Sequence, residues 1–385
     1  MQSVCFITPN SDTFTNPTLS TMFHYFKDNG ITVHLFGPQQ MPQCPDNLDN
    51  VKCYDCTFKM SFKNPKYWCK QYKAYSIVGE VIKSNNIKNV YAVDPLGLII
   101  GGRVKKYLCK DVKLCYLSFE IFFKEELSGY YLTLKNKEIK YSKLIDSLLV
   151  QDDVRKDLLF AENGFTLSDN KVALIPVSPE PIEVKEAVDI HERFGIDKSM
   201  KLAVYSGSLG KWCGTDAIIE AFDKGYWPAE YHLVFHTRRP LNEGDAYYND
   251  IMRLANNPEI PFTLHAHPFE AFEDLAAFLK GFDLALALYY PNFDNPYYGK
   301  NMQEIGLSSG KFSMYMMLGL PTIVTACKTY NELIKKYKFG AVIEEVKELK
   351  DVMNKAYSKE VAERMYKSVL VPHLTEIDKT LCLKN

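Results

Sequence analysis

The sequence predicts an α/β protein of two tandem doubly wound, Rossmann-like domains with an inter-domain cleft. Three observations predict it. The chain has 385 residues, too many for one ordinary domain and suited to two. Short apolar runs alternate with helix-length stretches, which implies parallel sheets covered by helices on both faces. The alternation restarts after a stretch at 178–197 that holds Pro179, Pro181 and many charges. The expected division is 1–178, then 179–365, then a segment 366–385 that packs back on the first domain.

In the first half, residues 4–8 read as a strand and 16–29 as a helix stopped by Gly30. Strand 32–36, helix 72–85, strand 89–93 and helix 98–109 follow. Next come strand 113–119, a helix that includes 142–144, strand 147–151, helix 153–163 stopped by Gly164, and strand 172–175. In the second half the strands are 201–206, 232–236, 263–265, 283–289 and 322–326. Its helices are 216–222, 272–280, 311–318 and 330–336. In such sheets a ligand sits beyond the carboxyl ends of the strands.

Hydrophobic residues make up 46% and charged residues 24%, the balance of a water-soluble globular chain. The formal charge of −1 gives no global basic field, so a nucleic-acid partner is not expected. The amino terminus runs straight into a strand, with no signal-peptide pattern. Apolar runs such as 282–290 fall short of the roughly 20 residues a bilayer requires. The expectation is a cytoplasmic protein that can rest on the inner face of the membrane. Of ten cysteines, Cys44, Cys53, Cys56 and Cys69 fall close together. They lack a second CxxC, so reduced cysteines are favoured over zinc, and no metal is assigned.

The strongest chemical signal is Gly306-Leu307-Ser308-Ser309-Gly310-Lys311 at the start of a helix. Small residues let a backbone approach a ligand. A helix amino terminus offers free N–H groups and partial positive charge. A lysine in that turn opposes the dipole unless an anion compensates, which suits a diphosphate. A plain Gly/Ser turn with a solvated lysine is the alternative. Gly207-Ser208-Leu209-Gly210-Lys211, after the first strand of the second domain, is a second phosphate-type loop. His236, Arg238 and Arg239 end the next strand, where arginines suit phosphate or stand in solvent. His265, His267 and Phe269 follow, where a base could rest.

Asp94 and Glu120 end strands of the first domain, placed either to bind acceptor hydroxyls and act as a base or to serve as caps. The chain contains no Asp-x-Asp, which argues against a metal-bridged diphosphate, and its first strand lacks GxGxxG. Residues 58–75 carry Lys59, Lys63, Lys66, Lys70 and Lys73 among six aromatic residues that include Trp68, with no acid. That mixture suits an anionic membrane surface, through Lys66, Trp68 and Lys70, or a solvated loop with tucked aromatics.

The motifs YSGSLGKWCGTDAIIEAF, FEAFEDLAAFLKGFDLALALYYP and GLSSGKFSMYMMLGLPTIV resemble the carboxyl-terminal domain of GT-B glycosyltransferases. The resemblance is to the retaining family-4 type and related bacterial surface-polysaccharide enzymes. VYAVDPLGLIIGG, LCYLSFEIFF and LLVQDDVRKDLLFAENG are similar to acceptor domains of that group. The resemblance implies a transferase that takes a sugar from a nucleoside-diphosphate donor, UDP-sugar foremost, without a cofactor or metal. The acceptor would be a glycan or a lipid-linked sugar. It implies that Gly207, Ser208, Lys211 and Lys311 embrace the diphosphate. His267, in the 265–269 loop, would lie toward the base, His236 and Arg238 would be among the donor-binding residues, and Tyr290, Asn301, Glu304, Gly306, Ser308 and Ser309 would lie toward the sugar and ribose. Lys311 would be catalytic, with Glu120 and Asp94 as candidate bases. The family's two glutamates, spaced eight apart, are replaced here by Gly306 and Met314, its arginine by Ser208, and a basic residue by Cys213. Two other readings stay open: a non-catalytic partner subunit on the same fold, and a sugar-nucleotide epimerase.

Overall fold

The computed structural model describes residues 2–9, 13–38, 44–56, 65–184 and 186–381, with the backbone alone for 65–71. The chain divides into two units, Met1–Val177 with Pro372–Asn385, and Ser178–Val371.

The first unit is a parallel sheet of seven strands in the order β3-β2-β1-β4-β5-β6-β7. The strands are β1 (Gln2–Ile7), β2 (Ile31–Gly37), β3 (Val51–Asp55), β4 (Asn89–Val93), β5 (Lys113–Leu117), β6 (Ser147–Val150) and β7 (Val172–Leu174). The central strands are buried on both faces, which is why they read as continuous apolar runs. Helix Pro17–Asp28 starts where the Asn16 side chain accepts from the Leu19 amide at 3.1 Å. Its Leu19, Met22, Phe23 and Phe26 form a helical stripe, and the Phe23 and Phe26 rings sit 5.2 and 5.8 Å from Phe6 of β1. Helix Asp153–Asn163 runs from its Asp152 cap to Gly164, whose φ of 63° ends it in the left-handed region.

Three features depart from the sequence expectations. Strand β3, which carries Cys53, was not anticipated. It is a half-exposed edge strand, so its apolar signal is weak. The helix expected from residue 72 begins at Pro65. Helix Gly129–Ser142 is far longer than the few residues its pattern betrayed. Lys135 and Glu138 occupy its inward face, both fully buried and paired at 3.2 Å. Asn163, Tyr116 and Ser142 complete that network.

The second unit has six parallel strands in the order β10-β9-β8-β11-β12-β13. They are β8 (Lys201–Ser206), β9 (Tyr231–Thr237), β10 (Phe262–Ala266), β11 (Leu284–Ala287), β12 (Thr322–Thr325) and β13 (Gly340–Ile343). Helix Phe272–Lys280 lies where the pattern placed it. Helices Tyr248–Ala255 and Lys359–Met365 and the short strand β13 were not anticipated. Strand order reverses between β8 and β11, the position where this topology opens a crevice at the strands' carboxyl ends.

Residues 366–371 stay with the second unit, where Tyr366 donates to the Pro179 carbonyl at 2.7 Å. From Pro372 the tail belongs to the first unit. There Ile377 is buried, and Thr380 lies 3.1 Å from the Tyr91 hydroxyl. Among the described residues, no helix is long and apolar enough to cross a membrane.

Candidate functional site

At the switch point of the second unit, two elements converge. One is the loop after β8. Tyr205, near the end of that strand, donates its hydroxyl to the Ser208 carbonyl at 2.7 Å. The Ser206 amide donates to the Tyr315 hydroxyl at 2.8 Å. The buried Cys213 thiol donates to the Ser208 and Gly210 carbonyls at 3.0 and 3.2 Å. Gly214, with φ of 82°, turns the chain into helix Thr215–Asp223. Four tethers thus fix a glycine-bearing loop directly after the first strand.

The other element is the amino terminus of helix Gly310–Met317. Ser309 caps it, accepting from the Phe312 amide at 3.1 Å. The Tyr289 hydroxyl holds Ser309 Oγ at 2.5 Å from the far side. Gly306, at φ of 48°, makes the turn before it, and its carbonyl accepts from Tyr330 at 2.8 Å.

Lys311 joins the two elements. Its stem is half-buried, but its ammonium is turned inward. Nζ lies 3.9 Å from the centre of the Tyr205 ring and 5.5 Å from that of Tyr289. A Cβ placed on Gly207 would sit 2.8 Å from it. Nζ is buried with no hydrogen-bond partner. Burial holds the lysine down at about 8. Lysine normally carries its charge outward, so this inversion is costly. Two aromatic faces offset part of the cost. An anion seated between the Gly207 loop and the helix amides would supply the rest.

Around this centre, Trp212 stacks on Tyr298 at 4.8 Å with rings 7° apart, and faces Tyr289 at 6.5 Å. Tyr205, Tyr289, Tyr315 and Trp212 were not singled out in the sequence, since an aromatic at a strand end or in a loop reads as core. Tyr290 packs into the cluster beneath helix Thr215–Asp223, and its buried hydroxyl has no hydrogen-bond partner. Burial, with Glu220 and Glu348 nearby, raises it to about 12.

The remaining expected donor residues fall as follows. Ser208 and Lys211 are exposed on the β8 loop. His236 is buried at the end of β9 and faces His265 of β10, Nδ1 to Nδ1, at 3.0 Å. Burial lowers both to about 4, so both rings are neutral near pH 7. Arg238 and His267 are exposed beyond those strands. Arg239 pairs with Asp245 at 2.9 Å. Asn301 is buried and donates to the Tyr297 carbonyl at 3.0 Å. Glu304 accepts from the Lys328 amide at 3.2 Å, at the start of helix Lys328–Tyr337. Ser308 is half-buried in the turn after Gly306.

In the first unit, Asp94 has φ of 56° and its Oδ1 accepts from the Phe119 and Glu120 amides at 2.9 and 3.0 Å. The fully buried Arg155 donates to the Phe119 carbonyl at 2.7 Å. Gln151 donates to the Ser118 carbonyl at 2.9 Å. These contacts fix the loop that presents the half-exposed Glu120, so one carboxylate positions the other. The side chains of Lys66, Trp68, Lys70 and Cys69 lie outside the described residues. Among the described residues, no group of three metal-ligating side chains is arranged to hold an ion.

Residues 255–372 match the family described as glucosyltransferase 3-like, carboxyl-terminal domain. No curated protein matches the chain by sequence. Among solved structures, it is similar to Anabaena HepE in complex with UDP-glucose. That pair shares 12% identity over 99% of this chain and 100% of the other, with a TM-score of 0.68. It is also similar to sucrose-phosphate synthase from Thermosynechococcus elongatus, at 13% identity over 100% and 95%, TM-score 0.66. The lipopolysaccharide outer core galactosyltransferase WaaB, in its apo form, aligns at 12% identity over 99% and 99%, TM-score 0.66. At such identities the likeness is one of fold, and both units together carry the GT-B fold.

Proposed function

We propose that this GT-B chain is a glycosyltransferase whose second unit holds a nucleoside-diphosphate sugar, UDP-sugar in the first instance, and passes the sugar to a glycan or lipid-linked acceptor. The observation that carries the reading is the buried, unpartnered Lys311 ammonium between the Gly207 loop and a capped helix terminus. A diphosphate there would accept from Lys311, from backbone amides of both elements and from the exposed Lys211. The match at 255–372 and the fold shared with HepE support the same chemistry.

In the proposed reaction the sugar–phosphate bond breaks and the departing diphosphate gathers negative charge. Lys311 and the amino terminus of helix Gly310–Met317 are aimed where that charge develops, which is how such groups accelerate a transfer. For a retaining course, the leaving phosphate takes the acceptor hydroxyl's proton on the face where the new bond forms. For an inverting course, Glu120 is the carboxylate held ready. Retention is proposed, with Lys311 filling the charge role that a metal fills elsewhere. Gly306 and Met314, at the positions of the family's two glutamates, favour one second reading, a donor-binding subunit without turnover.

The test is incubation of the purified chain with UDP-sugars, with and without EDTA, following UDP release and the anomeric configuration of the product. The reading expects release that EDTA leaves unchanged and a product of retained configuration. Nucleotide binding without release or transfer would favour the non-catalytic subunit.

A further inference from the structure

The sheet edge of the first unit carries a pair of side chains that the donor site does not use. Cys44 stands before the turn that leads into β3 and Cys53 lies within that strand, both as free thiols. Cys53 is exposed and Cys44 is half-buried. Their thiols are hydrogen-bonded to each other. Cys44 Sγ also donates to the Leu48 carbonyl at 3.7 Å.

Strand register explains the meeting. Side chains alternate between the two faces of a strand. Val51 of β3 packs into the core that holds Phe23, Leu35 and Leu48, whereas Tyr54 packs into the one that holds Phe36 and Cys56. Cys53, two residues after Val51, shares the face of Val51. Its register partner on β2 is Leu35, a member of the same core. Cys44 packs against that core as well. Cys56 is buried on the opposite face, and its amide donates to the Gly37 carbonyl at 2.6 Å. The sheet thus divides the CxxC formed by Cys53 and Cys56, and Cys44 takes the place of the nearer cysteine.

The turn between the two thiols is held from several sides. Leu48 is buried, and its carbonyl accepts from the Val51 amide at 3.0 Å. Asn50 donates to the Phe23 and Ile31 carbonyls at 3.3 and 3.2 Å. Asp49 pairs with Lys27 at 2.9 Å. The two sulfurs therefore face each other across a fixed turn.

We propose that Cys44 and Cys53 form a reversible disulfide, a redox-sensitive clip on the edge of the first unit, with a small soluble disulfide of the glutathione class as oxidant. The thiolate of the exposed Cys53 attacks one sulfur of that disulfide and releases one small thiolate. The Cys44 thiolate then attacks Cys53 Sγ in the mixed disulfide and releases the second. The two protein thiols lose two protons and two electrons, and the small disulfide becomes two thiols. Burial raises both cysteines and, with the neighbouring Cys44 thiol, holds Cys53 up at about 11. Both are protonated near neutral pH, so closure is slow there and speeds up as pH rises. A disulfide in a reducing compartment is of this transient kind.

The test is incubation of the full chain with glutathione disulfide at about pH 8, where the thiolate fraction is larger. Remaining thiols are then alkylated under denaturing conditions, and linkages are read by mass spectrometry after trypsin. Cleavage after Lys52 puts Cys44 and Cys53 on separate peptides and leaves Cys53 and Cys56 on one. The expected product joins the two peptides through Cys44 and Cys53. Cys44→Ser should stop at a glutathione adduct on Cys53. The oxidised wild type should melt about 5 °C higher than the reduced form, because the bond closes a loop in the unfolded chain. Dithiothreitol should reverse that rise, and Cys53→Ser should not show it. Linkage of Cys53 to Cys56 or to any cysteine other than Cys44, an unmodified wild type, or an equal rise in Cys53→Ser would overturn the proposal. The reaction requires no donor, so its failure would leave the glycosyl-transfer reading untouched.

Discussion

The ammonium of Lys311 lies 3.9 Å from the centre of the Tyr205 ring, buried and with no hydrogen-bond acceptor. A helix-start lysine and a strand-end tyrosine thus prepare a cationic centre before any ligand arrives. The arrangement costs stability in the free protein, and that cost gives the first prediction its sign.

Lys311→Met keeps most of the side-chain volume and removes the buried charge. The variant is expected to unfold at higher temperature than the wild type, gaining about 1–2 kcal/mol. Its affinity for UDP is expected to fall roughly 100-fold. Thermal melts and calorimetric titration with UDP check both halves. A structural lysine would show the opposite pattern, lost stability with unchanged binding.

A pH dependence follows from the same residue. Burial lowers Lys311 from 10.5 to about 8 in the folded chain. Below pH 8 the group is charged in both folded and unfolded states, and the folded state bears the full burial cost. Between 8 and 10.5 that cost fades as pH rises, so this residue's contribution to stability increases with pH. A bound diphosphate favours the charged form. Above pH 8, UDP binding should therefore take up a proton and weaken as pH rises. Titrations in buffers of different ionisation heat would reveal that uptake, and buffer-independent heats would argue against Lys311 as the contact.

The fold was legible where local signals agreed with tertiary placement. Asn16 and Gly164 mark helix ends through caps that their residue types form locally. Helix Gly129–Ser142 was obscured because Lys135 and Glu138 face inward, which breaks the apolar stripe. Lys311 could be picked out, because a lysine after small residues at a helix start conflicts with the dipole. Its inward turn onto Tyr205 could not, since that depends on how β8 and a helix more than a hundred residues later come together. Asp94 was visible as a strand-end carboxylate, but its use by the amides of Phe119 and Glu120 arises only when β4 and β5 are paired.

The buried Lys135–Glu138 pair gives a prediction for the first unit alone. Lys135→Met leaves Glu138 buried without its cation and should cost about 3 kcal/mol in denaturant unfolding. The double change Lys135→Met with Glu138→Leu should recover most of that loss. If the double variant is as unstable as the single, the pair acts through packing and not through its charges.

The most direct test of the donor site is the thermal midpoint of the wild type and of Gly207→Ala, each with and without UDP. The new methyl would meet Lys311 Nζ at 2.8 Å, the far end of a flexible side chain, so the variant should fold while its ammonium is displaced. The account predicts that UDP raises the wild-type midpoint, unaffected by EDTA, and leaves the variant's unmoved. An equal rise in both proteins, or none with any nucleoside diphosphate, would contradict it.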